Sequence, residues 1–211
     1  MFEIEYKGGN TVVVTTKKGK LIADPKQSLI GLKDLATKDA VVLATEERFA
    51  TNDEAATLNI SGPGEYEVGD FSIRGVPVIR HIDTPDQPKA STMYRIEIGD
   101  VRMGILGNID AKLSEDQLEA LGLLDILILP IGGGGYTLDA TSASQIVRSV
   151  EANTVIPVHY ADPSLKYEVI QDTLEVFVKE LGAPVETLPK LKVKSQANLV
   201  SVLTVVELTR S

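Results

Sequence analysis

Imidazole, thiol and carboxylate groups carry much of protein chemistry, and this sequence is short of the first two. It contains no cysteine and only two histidines, His81 and His159. The lack of thiols excludes cysteine-ligated zinc, iron–sulfur clusters, thiol catalysis and disulfide scaffolds. A site that needs three or more histidines cannot be built from one copy of this chain.

Carboxylates are more plentiful, and they form the first candidate site. Glu46, Glu47, Asp53 and Glu54 cluster after an apolar run at residues 41–43. Oxygen ligands of this type suit magnesium, manganese or calcium, with Asp110 or Asp139 as further donors. The alternative is ordinary solvated loop charge, which is the commoner state of such residues.

Three other features have two interpretations each. His159 follows a strand-like segment and is either a metal ligand or general base, or a histidine hydrogen-bonded at a strand end. The glycines at 132–135 either offer backbone N–H groups to an anion or let the chain turn sharply. Asp139 is a candidate N-cap of the helix that follows. His81 borders a proline-rich segment and is expected at the surface.

The hydrophobic pattern changes along the chain and predicts the elements that position these groups. Alternating and apolar runs predict strands, with hairpins at Gly69–Asp70 and Gly99–Asp100, and a loop at 83–89. The predicted strands are 2–6, 11–16, 20–23, 41–43, 66–68, 71–73, 94–98, 101–106, 125–129, 155–158 and 199–206. Later residues repeat at helical spacing, which predicts three helices. They begin near Ser114, Asp139 and Asp162 and end before Gly122, near Val150 and before Gly182.

Composition narrows the class of protein. The chain has 211 residues and a net charge of −9, which disfavours nucleic acid and anionic membrane surfaces. Its apolar runs are shorter than the roughly 20 residues of a membrane span. The amino terminus does not have the pattern of an export signal, so a cytoplasmic location is expected. With no break in composition, residues 1–211 are expected to form a single α/β domain with helices covering its sheets.

Five segments together form a recognisable order along the chain: 20–25 (KLIADP), 60–68 (ISGPGEYEV), 127–133 (LILPIGG), 138–140 (LDA) and 155–160 (VIPVHY). In this order they resemble the metallo-β-lactamase superfamily, and more narrowly its ascorbate-6-phosphate lactonase-like Zn-dependent hydrolases. The resemblance covers nearly the whole chain. It implies a four-layer αββα sandwich with a dinuclear zinc or manganese site at its edge.

The first metal-binding motif of that family is altered in this sequence. Family members carry T-H-x-H-x-D-H after a central strand, and this motif falls on residues 45–51. Glu46 and Arg48 stand at the first two histidine positions, Ala50 at the aspartate and Thr51 at the last histidine. A guanidinium adds positive charge where a pair of dications needs anionic ligands.

Of the other two motifs, one has lost its ligands and one keeps its histidine. In the H-L-G-D segment, Ile105 replaces the histidine and Asn108 replaces the bridging aspartate. The final P-x-H-Y motif keeps its histidine as His159. We therefore expect a degenerate site without metal or other cofactor, in which Arg48 pairs with Glu46 or Asp139.

Three functions follow from this reading. The first is a non-catalytic or altered member of the fold that serves as a binding or assembly module. The second is a metal-dependent hydrolase with an oxygen-rich mononuclear site built from Glu46, Asp110, Asp139 and His159. The third is a partner subunit of an intact homologue. The resemblance also makes a homo-oligomer the expected state, and the small-molecule ligand is left open.

Overall fold

A computed structural model of the protein describes residues 1–80 and 89–211. The first of its two sheets has six strands in the order β13-β1-β2-β3-β4-β5. These are β1 (Phe2–Gly8), β2 (Thr11–Thr15), β3 (Lys20–Ala23), β4 (Ala40–Ala44), β5 (Leu58–Ser61) and β13 (Leu191–Val193). β3, β4 and β5 run parallel, so their carboxyl ends lie at one edge of the sheet.

The second sheet has eight strands in the order β12-β14-β11-β10-β9-β8-β7-β6. They are β6 (Gly64–Val68), β7 (Phe71–Ile79), β8 (Ala90–Ile98), β9 (Val101–Ile105), β10 (Ile126–Pro130), β11 (Thr154–Val158), β12 (Val185–Leu188) and β14 (Thr204–Leu208). β6 to β9 form antiparallel hairpins, whereas β9, β10 and β11 are parallel. The carboxyl ends of the parallel strands again meet at one edge.

Within the described residues, three α-helices complete the fold: α1 (Glu115–Leu121), α2 (Ala140–Val150) and α3 (Leu174–Leu181). Ser114 and Gln117 form the predicted capping box of α1. Asp139 caps α2 by accepting the N–H of Ser142 at 2.7 Å. Both caps satisfy backbone donors that the first turn of a helix leaves without intrahelical partners.

The core lies in two main layers. Between the sheets, inward-facing side chains of both pack together, among them Ile4, Leu43, Tyr94 and Ile128. On the far side of the eight-stranded sheet, all three helices pack on residues such as Leu127. The outer face of the six-stranded sheet is covered more thinly, by a loop that contributes Leu35. The expected mixed α/β fold with two facing sheets is confirmed.

The predicted helix from Asp162 to Gly182 is wrong in its first half, because α3 begins only at Leu174. In residues 162–173, the backbone bonds to other segments. The N–H of Asp172 donates to Gly132 O, and its carbonyl accepts the N–H of Ala161. Ile170, expected on the buried stripe of the helix, is 94% exposed. Contacts with the glycine segment therefore override the helical spacing.

Other differences are smaller. The last strand is Thr204–Leu208 where 199–206 was predicted, and β5, β12 and β13 were not predicted. Both predicted hairpin turns are present. The loop predicted at 83–89 lies outside the described residues except for Lys89, and so does His81. In the described part of the chain, no helix has the length and hydropathy needed to cross a membrane.

Candidate functional site

Four chain segments meet where the parallel strands of the two sheets end. Glu46 follows β4, Asn108 follows β9 and His159 follows β11. Asn10 comes from the turn between β1 and β2. All four side chains are buried. Strand ends at a sheet edge are the usual place for a site in layered α/β proteins.

A continuous polar chain links these four side chains. His159 Nδ1 lies 2.9 Å from Asn10 Oδ1. Asn10 Nδ2 donates to Asn108 Oδ1 at 3.5 Å, and Asn108 Nδ2 donates to Glu46 Oε1 at 2.7 Å. Since Asn10 presents its oxygen, His159 carries its proton on Nδ1. Each of these four side chains thus has a hydrogen-bond partner, as burial away from water requires.

Two guanidinium groups share the other oxygen of Glu46. Arg80 Nη1 donates to Oε2 at 2.9 Å, and Arg48 Nε lies 3.2 Å from the same atom. The side chains of Arg80 and Glu46 are only 4% and 3% exposed. Pairing with an opposite charge is what makes a buried charge tolerable in a protein interior. The predicted pairing of Arg48 with Glu46 is therefore present, whereas Asp139 caps α2 instead.

Aromatic rings surround Arg48 and His159. The Arg48 guanidinium carbon lies 4.7 Å from the ring centres of both Phe49 and Tyr136. The Tyr167 ring stacks on His159 at 4.7 Å between centres. Burial and the positive charge of Arg48 lower the pKa of His159 to about 3. Its imidazole is therefore neutral across the physiological range.

Asp24 supports this arrangement from beneath the end of β4. Its two carboxylate oxygens accept the N–H and the hydroxyl of Thr45, at 2.8 Å and 2.6 Å. Burial raises the pKa of the Asp24 carboxyl to about 7. Asp24 and His159 both have left-handed backbone, with φ of 49° and 51°. Such strain is rare outside glycine and often marks functional sites.

Other predicted site residues lie apart from this cluster. Ala50 and Thr51 are half-buried beyond the 3₁₀ turn Glu47–Phe49, and Thr51 donates to Asn59. Ile105 is buried in the core between the sheets. These three side chains leave the first and second family motifs without ligands at their positions.

The mononuclear site proposed from Glu46, Asp110, Asp139 and His159 is not formed. Asp110 accepts the N–H of Lys112 in a local turn, and Asp139 is exposed at its helix cap. Within residues 1–80 and 89–211, no group of three or more His, Cys, Asp or Glu side chains has the geometry to hold a metal ion. Asp110 and Asp139 accept from donors of their own turn or helix, whereas Glu46 accepts from Asn108 and Arg80.

The first acidic cluster is also dispersed. Glu47 and Glu54 are exposed, and Asp53 accepts hydrogen bonds from Thr37 Oγ1 and the Ala55 N–H. Solvated and locally bonded loop charge describes these residues. The metal-binding interpretation of this cluster finds no support in their positions.

The glycine segment at 132–135 serves close packing. A Cβ atom at Gly132 would lie 2.3 Å from the carbonyl oxygen of His159. The N–H groups of Gly133 and Tyr136 donate to Leu138 and Gly133. Since these donors are used within the turn, the arrangement favours the sharp-turn interpretation over an anion cradle.

A dinuclear metal centre does not fit the residues at this site. The family positions hold one carboxylate, one amide and one imidazole, together with the Arg48 guanidinium. Both oxygens of Glu46 already accept from Asn108 and Arg80. Two dications need several anionic ligands to offset their repulsion, and this donor set supplies a single one.

Two cavities adjoin the cluster, and Arg48 lines both. One is an open cleft of about 700 Å³ whose walls include Thr45, Ser61, Arg80 and Ser91. The other is a narrow space of about 20 Å³ beside His159 and Asp24. The smaller one has room for about one water molecule. Glu46 lines the cleft together with Arg48, whereas Asn10 and His159 line the smaller space.

The facing sheets, the outer helices and a site at the carboxyl ends of the parallel strands define a metallo-β-lactamase fold. A family model described as the β-lactamase superfamily domain matches residues 3–159. The chain therefore belongs to this superfamily. No curated protein sequence matches it significantly.

Solved structures show the same fold. A candidate Zn-dependent hydrolase of the metallo-β-lactamase superfamily from Thermotoga maritima is 21% identical, with a TM-score of 0.76, and the match covers 99% of this chain and 100% of that one. The metallo hydrolase Igni18 from Ignicoccus hospitalis is 16% identical, with a TM-score of 0.60 and coverage of 86% and 90%. The metallo-β-lactamase fold protein YhfI from Bacillus subtilis is 10% identical, with a TM-score of 0.58 and coverage of 100% and 98%.

Sequence reasoning missed several members of the cluster. Arg80 stands just after a strand-like run and carries no motif that sets it apart. Asn10 lies in a turn-forming Gly-Gly-Asn segment, where asparagine is expected for local reasons. Tyr167 lies in the segment wrongly predicted as helix. Asp24 was recognised only as part of a matching segment, although a lone acid after an apolar strand is a usable signal for a buried carboxylate.

Proposed function

We propose that this chain is a metallo-β-lactamase-fold protein whose dinuclear metal site is degenerate, and that it acts as a binding module and not as a metal-dependent hydrolase. The observation that carries the proposal is the Glu46 carboxylate, held between the guanidinium groups of Arg80 and Arg48. Protein charge here takes the place that the family gives to metal ligands.

Electrostatics supports this proposal. A guanidinium about 4 Å from a divalent cation is disfavoured by about 8 kcal/mol at an effective dielectric constant of about 20. A metal ion would also need Glu46 to release Arg80, whose buried charge would then lose that partner. The single imidazole and the Asn108 amide offset neither cost.

The proposed loss of hydrolysis follows from the same donor set. In metal-dependent hydrolases, a bound ion lowers the pKa of water from about 16 to about 7. At this site, the Arg48 guanidinium stands at one of the family's ligand positions, where its positive charge would repel such an ion. His159 Nδ1 is engaged by Asn10, and its low pKa keeps the ring from acting as a cationic acid.

Metal content tests the proposal. Protein purified without chelator is analysed for zinc, manganese and iron, and is then titrated with Zn²⁺ and Mn²⁺ by calorimetry. We expect less than stoichiometric metal and no tight binding. Stoichiometric zinc, manganese or iron would contradict the proposal.

The variant Glu46→His sharpens this test. It adds one imidazole to that of His159 but leaves Arg48 in place, so tight zinc binding is not expected. The control Glu65→His adds an imidazole on the exposed β6–β7 hairpin. Tight zinc binding by Glu46→His alone would show that the site retains more ligands than Asn108 and His159.

A further inference from the structure

Arg48 pairs less closely with Glu46 than Arg80 does. Arg80 makes a hydrogen bond of 2.9 Å to Glu46 Oε2, whereas Arg48 Nε lies 3.2 Å from that oxygen without hydrogen-bond geometry. Among the described residues, this buried Nε atom has no hydrogen-bond partner. A buried donor without a partner is uncommon, and it leaves the pairing of Arg48 with Glu46 incomplete.

The second anionic partner of Arg48 is weakly held. Glu168 Oε1 lies 3.5 Å from Arg48 Nη1, and the Glu168 side chain is 57% exposed. Exposed pairs of this kind contribute little, because water screens them and ordering the side chains costs entropy. Glu168 lines the smaller space and not the cleft, so an anion that reaches Arg48 from the cleft competes with it for the same guanidinium charge. Glu47 lines the cleft, but it is exposed, so solvent screens its charge.

The guanidinium is nevertheless fixed in place. It lies 4.7 Å from the ring centres of Phe49 and Tyr136, and its side chain is 22% exposed. Flanking rings restrain the group without using its N–H donors. A restrained, partly accessible fork of donors loses little freedom when it binds a ligand.

We propose that the cleft binds a small organic oxyanion, and that Arg48 is the residue that holds its carboxylate or phosphate group. Guanidinium matches both groups through paired N–H donors. The cleft of about 700 Å³ has room for the rest of such a ligand against Ser61, Pro63 and Val78. This inference rests on the proposed binding function and names its ligand class.

Nuclear magnetic resonance can follow the Arg48 Nε–H directly. The wild-type protein, freed of metal on a chelating resin and kept at constant ionic strength in a buffer without chelator, is titrated with inorganic phosphate and separately with succinate. We expect a saturable shift of the Arg48 Nε–H signal with at least one of the two probes, and the stronger probe tells phosphate from carboxylate recognition. No shift of that signal with either probe would overturn the proposal.

Variants give a second test. Arg48→Gln should weaken binding of the active probe about tenfold or more, and Arg48→Lys should restore it only in part. Glu168→Gln removes the competing carboxylate and should tighten binding about twofold to fivefold. Arg74→Gln, the matched loss of an exposed arginine paired with Glu65, should change it by less than about twofold.

Equal loss in Arg48→Gln and Arg74→Gln would reveal non-specific charge attraction and overturn the proposal, as would unchanged binding in Arg48→Gln. Because the protein is freed of metal before the titrations, these outcomes are independent of metal binding. Zinc binding in the metal titration would contradict the proposed function, and the absence of an Arg48 shift would separately contradict the anion proposal. If the protein is metal-free and no Arg48 shift is seen, only the anion proposal is contradicted.

Discussion

Replacing Glu46 by glutamine removes one negative charge while keeping the size of the side chain. Its carboxylate contacts Arg80 and Arg48 and accepts from Asn108. A glutamine amide offers one acceptor oxygen where three donors converge, so at least one buried donor loses its partner. Since Glu46 and Arg80 are 3% and 4% exposed, the loss falls in the range for a broken buried pair, about 3–5 kcal/mol.

Urea unfolding at pH 7 measures this loss, with circular dichroism and tyrosine fluorescence as two probes, since the chain contains no tryptophan. In a chain of this size, the loss corresponds to a melting temperature lower by about 6–20 °C. Glu65→Gln is the matched control: Glu65 pairs with Arg74, but the two side chains are 73% and 50% exposed, so its cost is about 0–1 kcal/mol. If Glu46→Gln costs no more than Glu65→Gln, the buried pair does not hold the site together.

Three further predictions concern pH and packing. The pKa of His159 is about 3 in the folded protein in place of 6.5, so only the unfolded chain gains a proton as the pH falls below about 6.5. The free energy of unfolding of the wild type should therefore decrease by up to about 1.4 kcal/mol per pH unit, relative to that of His159→Asn, in urea unfolding. Asp24 should change stability in the opposite direction, because its pKa of about 7 in place of 3.8 lets the folded protein hold the proton. The stabilisation from its protonated carboxyl should be present below about pH 4 and lost by about pH 7, and Asp24→Asn should not show this trend. Gly107→Ala places a Cβ 2.5 Å from Thr45 and should cost about 1–3 kcal/mol in the same assay, whereas the control Gly19→Ala meets only an ordinary contact.

Much of the fold was predictable because local signals and tertiary packing agree. The hairpins at Gly69 and Gly99 combine alternating strands with a turn residue that takes a positive φ. The α1 capping box and the Asp139 cap are local hydrogen-bond patterns. Where long-range contacts compete, prediction failed: the chain before Leu174 bonds to the glycine segment instead of forming a helix.

The site was predictable only in part, for a similar reason. Glu46 and Arg48 could be paired because both follow one strand and have opposite charge. Arg80 and Asn10 come from distant parts of the chain, and only the meeting of the two sheets brings them to Glu46 and Asn108. Asp139 was predicted as a helix cap, as a partner of Arg48 and as a metal ligand, and its position at the start of α2 left it with the first of these roles.

The central claim is that buried protein charge takes the place of a bridged metal pair at Glu46, Asn108 and His159. Anomalous diffraction at the zinc edge, on crystals grown with excess Zn²⁺, tests it most directly. The account predicts no zinc peak among these three side chains, with Arg80 still bonded to Glu46. Two zinc peaks a few ångströms apart beside His159 would contradict it.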